Sequence, residues 1–210
     1  MVSNEEISVN KRNGRGKETL QIDKIHSMVG FATEGITGVS ASHVEMNSGI
    51  QFFDGVSTAD IQQILIKSAN DLISLENPNY QYVAARLLLF QLRKQLFHRL
   101  WDHPKFIDHI KTLIDKGLYD KDILVNYDES EIDRMGMWID HERDYNFTYA
   151  GLRQVMDKYL VQDRSTGDIF ETPQFMYMMI SATLFAQYSK DKRMSYVKKY
   201  YDAVSKFKIN

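Results

Sequence analysis

A chain of 210 residues, 43% apolar and 12% aromatic, has room for one large or two small domains and enough apolar mass to bury a core. Its 26 basic and 28 acidic side chains leave a formal charge of −2, so no global positive field draws it to nucleic acid or anionic lipid, and any phosphate recognition must be local. The absence of cysteine excludes a disulfide framework, thiolate zinc sites and thiol nucleophiles within these residues.

The first residues, Met1-Val2-Ser3-Asn4-Glu5-Glu6, are polar and acidic, with no apolar signal-like run after them, and no window approaches about 18 consecutive apolar residues. A soluble, cytoplasmic protein is expected. Ile7-Ser8-Val9-Asn10-Lys11 alternates apolar and polar, Asn13-Gly14 is a strong hairpin signal, and Thr19-Leu20-Gln21-Ile22 alternates again. This predicts a two-stranded hairpin with its loop around residues 13–17. A lone hairpin is marginal in water, so it should lie on the helices that follow.

Asp23 is expected to cap a first helix whose face carries Ile25, Met28, Val29, Ala32 and Ile36, with Gly35 and Gly38 marking its end. A weaker helix is expected over 42–53, closed by Asp54-Gly55. Ser57-Thr58-Ala59-Asp60 then reads as the capping signal of a third helix, with Ile61, Ile64, Leu65, Ser68 and Leu72 on one face up to Asn77-Pro78. A fourth, long helix is expected over 82–100.

Trp101-Asp102-His103-Pro104 is the best boundary, because proline disfavours helix at His103 and a new periodic segment begins with Phe106, Ile107, Ile110, Leu113 and Ile114. Gly117 should end that helix, Asp128-Glu129-Ser130-Glu131 should open another running to Trp138 and Ile139, and a third is expected over 149–158. A short strand pair, 159–161 with 169–170, is expected around the Asp163–Gly167 turn. Thr172-Pro173 supplies an N-cap and N1 proline for a helix to Phe185, and 193–206 forms the last. The predicted fold is mainly α with a small β-hairpin, in two domains, 1–100 and 101–210.

Two cations at Lys11-Arg12 beside a tight turn offer opposite charge and backbone N–H donors to a triphosphate. Thr58 lies in a predicted first helical turn, where free N–H groups favour an anion. Singly, Lys11, Lys24 and Lys94 read as solvated lysines and Thr58 as part of a cap; their co-occurrence makes a candidate nucleotide site. The six histidines show no metal-ligand spacing, so no metal site is implied, and His141-Glu142 reads as an ordinary hydrogen-bonded pair. Met176, Tyr177, Met178 and Met179 read as core filling. Lys190-Asp191-Lys192-Arg193 reads as a solvated turn.

Four stretches make residues 7–100 resemble the ATP-cone, the regulatory nucleotide-binding domain at the start of many ribonucleotide reductase large subunits. They are Val9-Asn10-Lys11-Arg12-Asn13-Gly14, Ile22-Asp23-Lys24-Ile25, Gly55-Val56-Ser57-Thr58-Ala59-Asp60-Ile61 and Asn79-Tyr80-Gln81-Tyr82-Val83-Ala84-Ala85-Arg86-Leu87. The likeness continues through Ile139-Asp140-His141-Glu142-Arg143-Asp144, through Thr166-Gly167-Asp168-Ile169-Phe170-Glu171-Thr172-Pro173-Gln174-Phe175 and through Tyr201-Asp202-Ala203-Val204-Ser205. These look like the helical segment that precedes the catalytic barrel in class I large subunits.

The resemblance implies an allosteric segment that binds ATP as activator or dATP as inhibitor, with magnesium, and sets overall activity in deoxyribonucleotide synthesis. It implies nucleotide contacts from Lys11, from Glu18, Thr19, Leu20, Gln21, Ile22, Asp23 and Lys24, from Thr58 and from Lys94. Relative to the family pattern the hairpin loop is one residue longer, and Gln62 and Gln91 stand where close relatives are expected to carry histidine. The implied partners are the radical-bearing small subunit, other large subunits and the remaining catalytic part. The cysteines of a catalytic large subunit are missing, so no catalytic residue or catalytic cofactor is expected and the chain alone should be inactive, as a fragment or split-gene product. The alternative is a free-standing ATP-cone interaction protein that docks on a partner reductase subunit.

Overall fold

The computed structural model describes residues 7–10, 16–49, 54–98 and 102–209. They form two compact units, one from residues up to Gln91 together with Phe147–Leu152, the other from Leu92–Asn146 and Arg153–Asn210. The expected hairpin loop at 13–17 falls largely outside the described residues.

In the first unit, β1 (Ser8–Asn10) pairs antiparallel with β2 (Lys17–Thr19), as alternation predicts, with Ser8 opposite Thr19 and Asn10 opposite Lys17. A third strand that the sequence does not announce, β3 (Val56–Ser57), joins the other edge of β1 in parallel, giving the order β2-β1-β3. Asp54-Gly55 makes this possible: Asp54 Oδ1 accepts from Ser8 N at 2.9 Å and Ser8 Oγ at 2.6 Å, while Gly55 N donates to Ser8 O at 2.8 Å. Gly55 sits at φ +81°, a left-handed conformation that a side chain would strain. Val9 and Val56 face inward and are buried.

The first helix, α1 (Ile22–Thr33), starts one residue before the expected Asp23 cap: Gln21 is the N-cap, and Asp23 lies in the first turn, where its charge favours the positive helix end. It stops at Thr33, short of Ile36, where the chain turns through Gly35 at φ +70°. Helix α2 (Ala41–Gly49) follows, and the rest of the expected 42–53 helix lies outside the described residues. Helix α3 (Thr58–Asp71) is capped as predicted: Ser57 Oγ accepts from Asp60 N at 3.0 Å and donates to Asp60 Oδ2 at 2.7 Å. It ends at Asp71, well before Pro78. Helix α4 (Tyr80–Phe97) begins in the first unit and ends in the second.

The second unit contains α5 (Phe106–Asp115), a short α6 (Asp122–Asn126) without a sequence signal, α7 (Glu129–Trp138) and a 3-10 helix (His141–Asn146). Helix α8 (Tyr149–Lys158) crosses back into it, followed by α9 (Pro173–Phe185) and α10 (Lys190–Val204). Asp128 and Glu131 complete a reciprocal capping box on α7. The expected strand pair shrinks to one bridge, Gln162 with Ile169, around Gly167 at φ +78°. Met176, Tyr177 and Met178 are buried in α9, in keeping with core filling.

Two expectations fail in the second unit. Lys190–Arg193 is the first turn of α10, and although Lys190, Asp191 and Lys192 are exposed as expected, Arg193 is buried against Glu131, its Nε donating to Oε1 at 3.0 Å. His141 does not pair with Glu142; its ring stacks on His103 at a centroid distance of 3.6 Å and an angle of 3°.

The same cluster holds His109, stacked on Phe175 at 4.3 Å, its Nε2 buried without a hydrogen-bond partner. Burial pushes His109 down to about 4 and, with positive charge from neighbouring groups, His141 down to about 2. A histidine held neutral in the fold costs nothing above its unfolded value of 6.5; below it, the unfolded chain gains a proton that the folded chain refuses. Asp144 works oppositely: burial raises it to about 7 against the pull of Arg93 and Gln174, so acid relieves it. A difference between two variants cancels Asp144. His109→Phe is therefore expected to gain about 1.6 kcal/mol on the parent chain as pH falls from 6.5 to 5, the slope approaching about 1.4 kcal/mol per pH unit once the unfolded imidazole is fully charged. Urea unfolding at the two pH values measures it, and a pH-independent difference would contradict it.

Candidate functional site

Of the residues that the resemblance implies, Glu18 and Thr19 lie on the small sheet itself, and Thr58 directly follows its third strand. Asn10, the last residue of β1, lies opposite Ser57, the last residue of β3 and N-cap of α3. Parallel pairing thus brings the end of β1 beside the start of α3, where Thr58 is the first helical residue. Asn10 Nδ2 donates to Gly55 O at 2.7 Å and fixes this corner. Backbone N–H groups of a first helical turn lack intrahelical partners and carry the positive end of the helix dipole, so the corner suits an anion. Lys11, next after Asn10 in sequence, lies outside the described residues.

Glu18 and Thr19 belong to β2, and Leu20 to Lys24 lead into and start α1. Thr19 pairs with Ser8, so this segment leaves the sheet at the end opposite Asn10 and Ser57. β1 and β2 are three residues long, so the two ends are only about 7 Å apart, less than the length of an extended nucleoside triphosphate. Glu18 and Leu20 are half-buried, while Thr19, Gln21, Asp23 and Lys24 are exposed. Gln21 caps α1 with its backbone alone, and Ile22 is 71% exposed, an apolar surface at the start of a helix. Lys94 is in the last turn of α4, on the stretch that belongs to the second unit.

The glutamines have definite places in the first unit. Gln62 is buried and its Nε2 donates to Leu87 O at 2.9 Å, tying α3 to α4. Gln91 is bridged by Gln63, whose Nε2 donates to Gln91 Oε1 at 2.9 Å. Gln63 is not singled out by sequence, because Gln62-Gln63 is a repeated residue whose two members face differently only once the helix is packed. Among the described residues no group of three histidine, aspartate or glutamate side chains is placed to hold a metal ion. No described helix is long and apolar enough to cross a membrane.

Residues 7–95 match the ATP cone domain family, and residues 145–210 match the ribonucleotide reductase all-alpha domain. The chain joins an ATP cone to the reductase all-alpha domain. Over 207 residues, 99% of the chain, it is 47% identical to the ribonucleoside-diphosphate reductase subunit alpha of Haemophilus influenzae and 46% identical to ribonucleoside-diphosphate reductase 1 subunit alpha of Escherichia coli K12. It is 41% identical over 204 residues to the subunit alpha of Enterobacteria phage T4. It spans 26–27% of the length of these relatives, about a quarter. The cone match includes the sheet corner, the α1 start and Lys94. An unbroken likeness from cone to all-alpha domain does not favour a free-standing cone protein.

Proposed function

We propose that the chain is an allosteric regulatory segment of a ribonucleoside-diphosphate reductase alpha subunit. Its cone, residues 1–100, binds ATP or dATP as the magnesium complex, and residues 101–210 form the helical domain that follows. The observation that carries this proposal is the Asn10–Ser57 pairing, which joins the strand end before Lys11 to the helix start at Thr58. Lys11, Thr58 and Lys94 are the proposed phosphate contacts, and Glu18 to Lys24 the surroundings of base and ribose.

The effector regulates by stabilising two assemblies unequally, since equal affinity for both would shift nothing. ATP and dATP differ by one 2′-hydroxyl, so a hydrogen bond made or lost there separates them. With no cysteine of its own, the chain has no thiol for ribonucleotide reduction, and it acts through the rest of an alpha subunit, through other alpha subunits and through the radical-bearing small subunit, in the cytoplasm.

Calorimetric titration with MgATP and MgdATP tests this. Lys11→Ala and Lys94→Ala are each expected to weaken both ligands about 10-fold to 100-fold, the loss of one charge-assisted contact, while Lys121→Ala leaves affinity unchanged. Parent-like affinity in both variants would show that the pocket is elsewhere.

A further inference from the structure

A cleft of about 400 Å³ opens in the second unit between the C-terminal end of α7 and the middle of α10. Trp138 and the buried Met194 contribute its apolar surface, and Arg134, Lys198 and Lys199 its cationic surface. The carboxylate in it, Asp202, is already held by Lys198 at 3.0 Å and Arg143 at 2.9 Å, with Lys206 at 3.7 Å. The Lys198 ammonium lies 5.9 Å from the centre of the Trp138 ring. Positive charge is therefore concentrated around an aromatic surface, in a chain whose formal charge is −2.

Two features decide what such a cleft takes. It lies against the carbonyl end of α7 and the side of α10, so it lacks the row of backbone N–H donors that cradles a phosphate. It is also open to solvent, which buries a whole protein segment's anchor better than it encloses a free small molecule. The geometry points to a docking site for an acidic segment of a partner protein, in which one aromatic or leucine side chain lies on Trp138 and flanking carboxylates meet Arg134, Lys198 and Lys199. Charge complementarity supplies register and encounter rate, and the apolar anchor supplies residence. This site is independent of the nucleotide proposal, which concerns the first unit and Lys94.

The test titrates the full chain with a fluorescein-labelled peptide, acetyl-Asp-Glu-Asp-Phe-Asp-Glu-amide, and follows anisotropy. Arg134 and Lys199 are exposed, so the Arg134→Glu/Lys199→Glu variant keeps the fold. Saturable one-to-one binding is expected, weakened about tenfold or more by that variant and by replacing the peptide's phenylalanine with serine, with ATP affinity unchanged. In a Trp101→Phe background the emission of Trp138 should shift at the same midpoint. Absence of saturation up to about 1 mM, equal binding of the serine peptide, indifference to the charge reversals, or full displacement by equimolar tripolyphosphate would each overturn the proposal.

Discussion

Replacing Arg93 by alanine is expected to cost about 3–5 kcal/mol of stability, the loss that follows when one member of a buried ion pair is removed. Arg93 is 2% exposed; Nη1 donates to the Tyr145 hydroxyl at 3.0 Å and Nη2 to His141 O at 2.7 Å. Nη2 also lies 3.7 Å from Asp144 Oδ2, the nearest cationic group to a carboxylate that is 1% exposed. Without that guanidinium, Asp144 keeps, among the described residues, only the hydrogen bond from Gln174 Nε2 to Oδ1, at 2.8 Å, and its raised titration moves higher still. The sign follows from linkage. A carboxyl raised in the fold destabilises above its unfolded value of 3.8, increasingly up to its folded value, so Arg93→Ala should cost more at pH 8 than at pH 5. Arg93→Met combined with Asp144→Leu should cost much less, because no charge is left stranded. Urea unfolding of the three chains at both pH values decides it; an equal cost at pH 5 and pH 8 would falsify the assignment to Asp144.

Glu131→Ala is expected to be comparably damaging, about 3–5 kcal/mol, because one carboxylate serves two structures. Its Oε2 accepts from Asp128 N at 3.1 Å, closing the cap of α7, and its Oε1 accepts from Arg193 Nε at 3.0 Å, with a further contact from Arg193 Nη2 to Oε2. Arg193 is 4% exposed, and its guanidinium carbon lies 4.4 Å from the centre of the Tyr127 ring. Alanine removes the cap and strands a buried cation against an aromatic face. Glu131→Gln keeps the volume and an acceptor but loses the charge, so it should cost about half as much, and Asp128→Ala, which removes only the cap, about 1 kcal/mol. Thermal unfolding should rank them in that order. If Asp128→Ala proved as costly as Glu131→Ala, the cap and not the ion pair would hold α7.

Local signals made much of the fold legible. Alternation about Val9 and Leu20 marked the hairpin, Ser57 capped α3, Asp128 and Glu131 boxed α7, and Pro173 opened α9. Each depends on residues within a few positions of one another. β3 was not legible because two residues, Val56 and Ser57, are too few to show a period; they become a strand only when β1 offers an edge. The charge run at 190–193 misled for the same reason. Arg193 is solvated or buried according to whether Glu131, 62 positions earlier, lies opposite it. His141 has Glu142 beside it in sequence and His103 beside it in space.

The candidate site divides likewise. Residue types, spacing and family likeness, all readable along the chain, named the cations, the threonine at a helix start and the segment from Glu18 to Lys24. Tertiary structure alone decided that the end of β1 meets the start of α3, that Gln62 ties α3 to α4, and that Trp138, Arg134 and α10 enclose a cleft. Caps, turns and periodicity are set by the conformational preferences of a few consecutive residues, whereas strand pairing, burial of a charge and the lining of a cleft depend on free energies gained only when distant segments exclude water together.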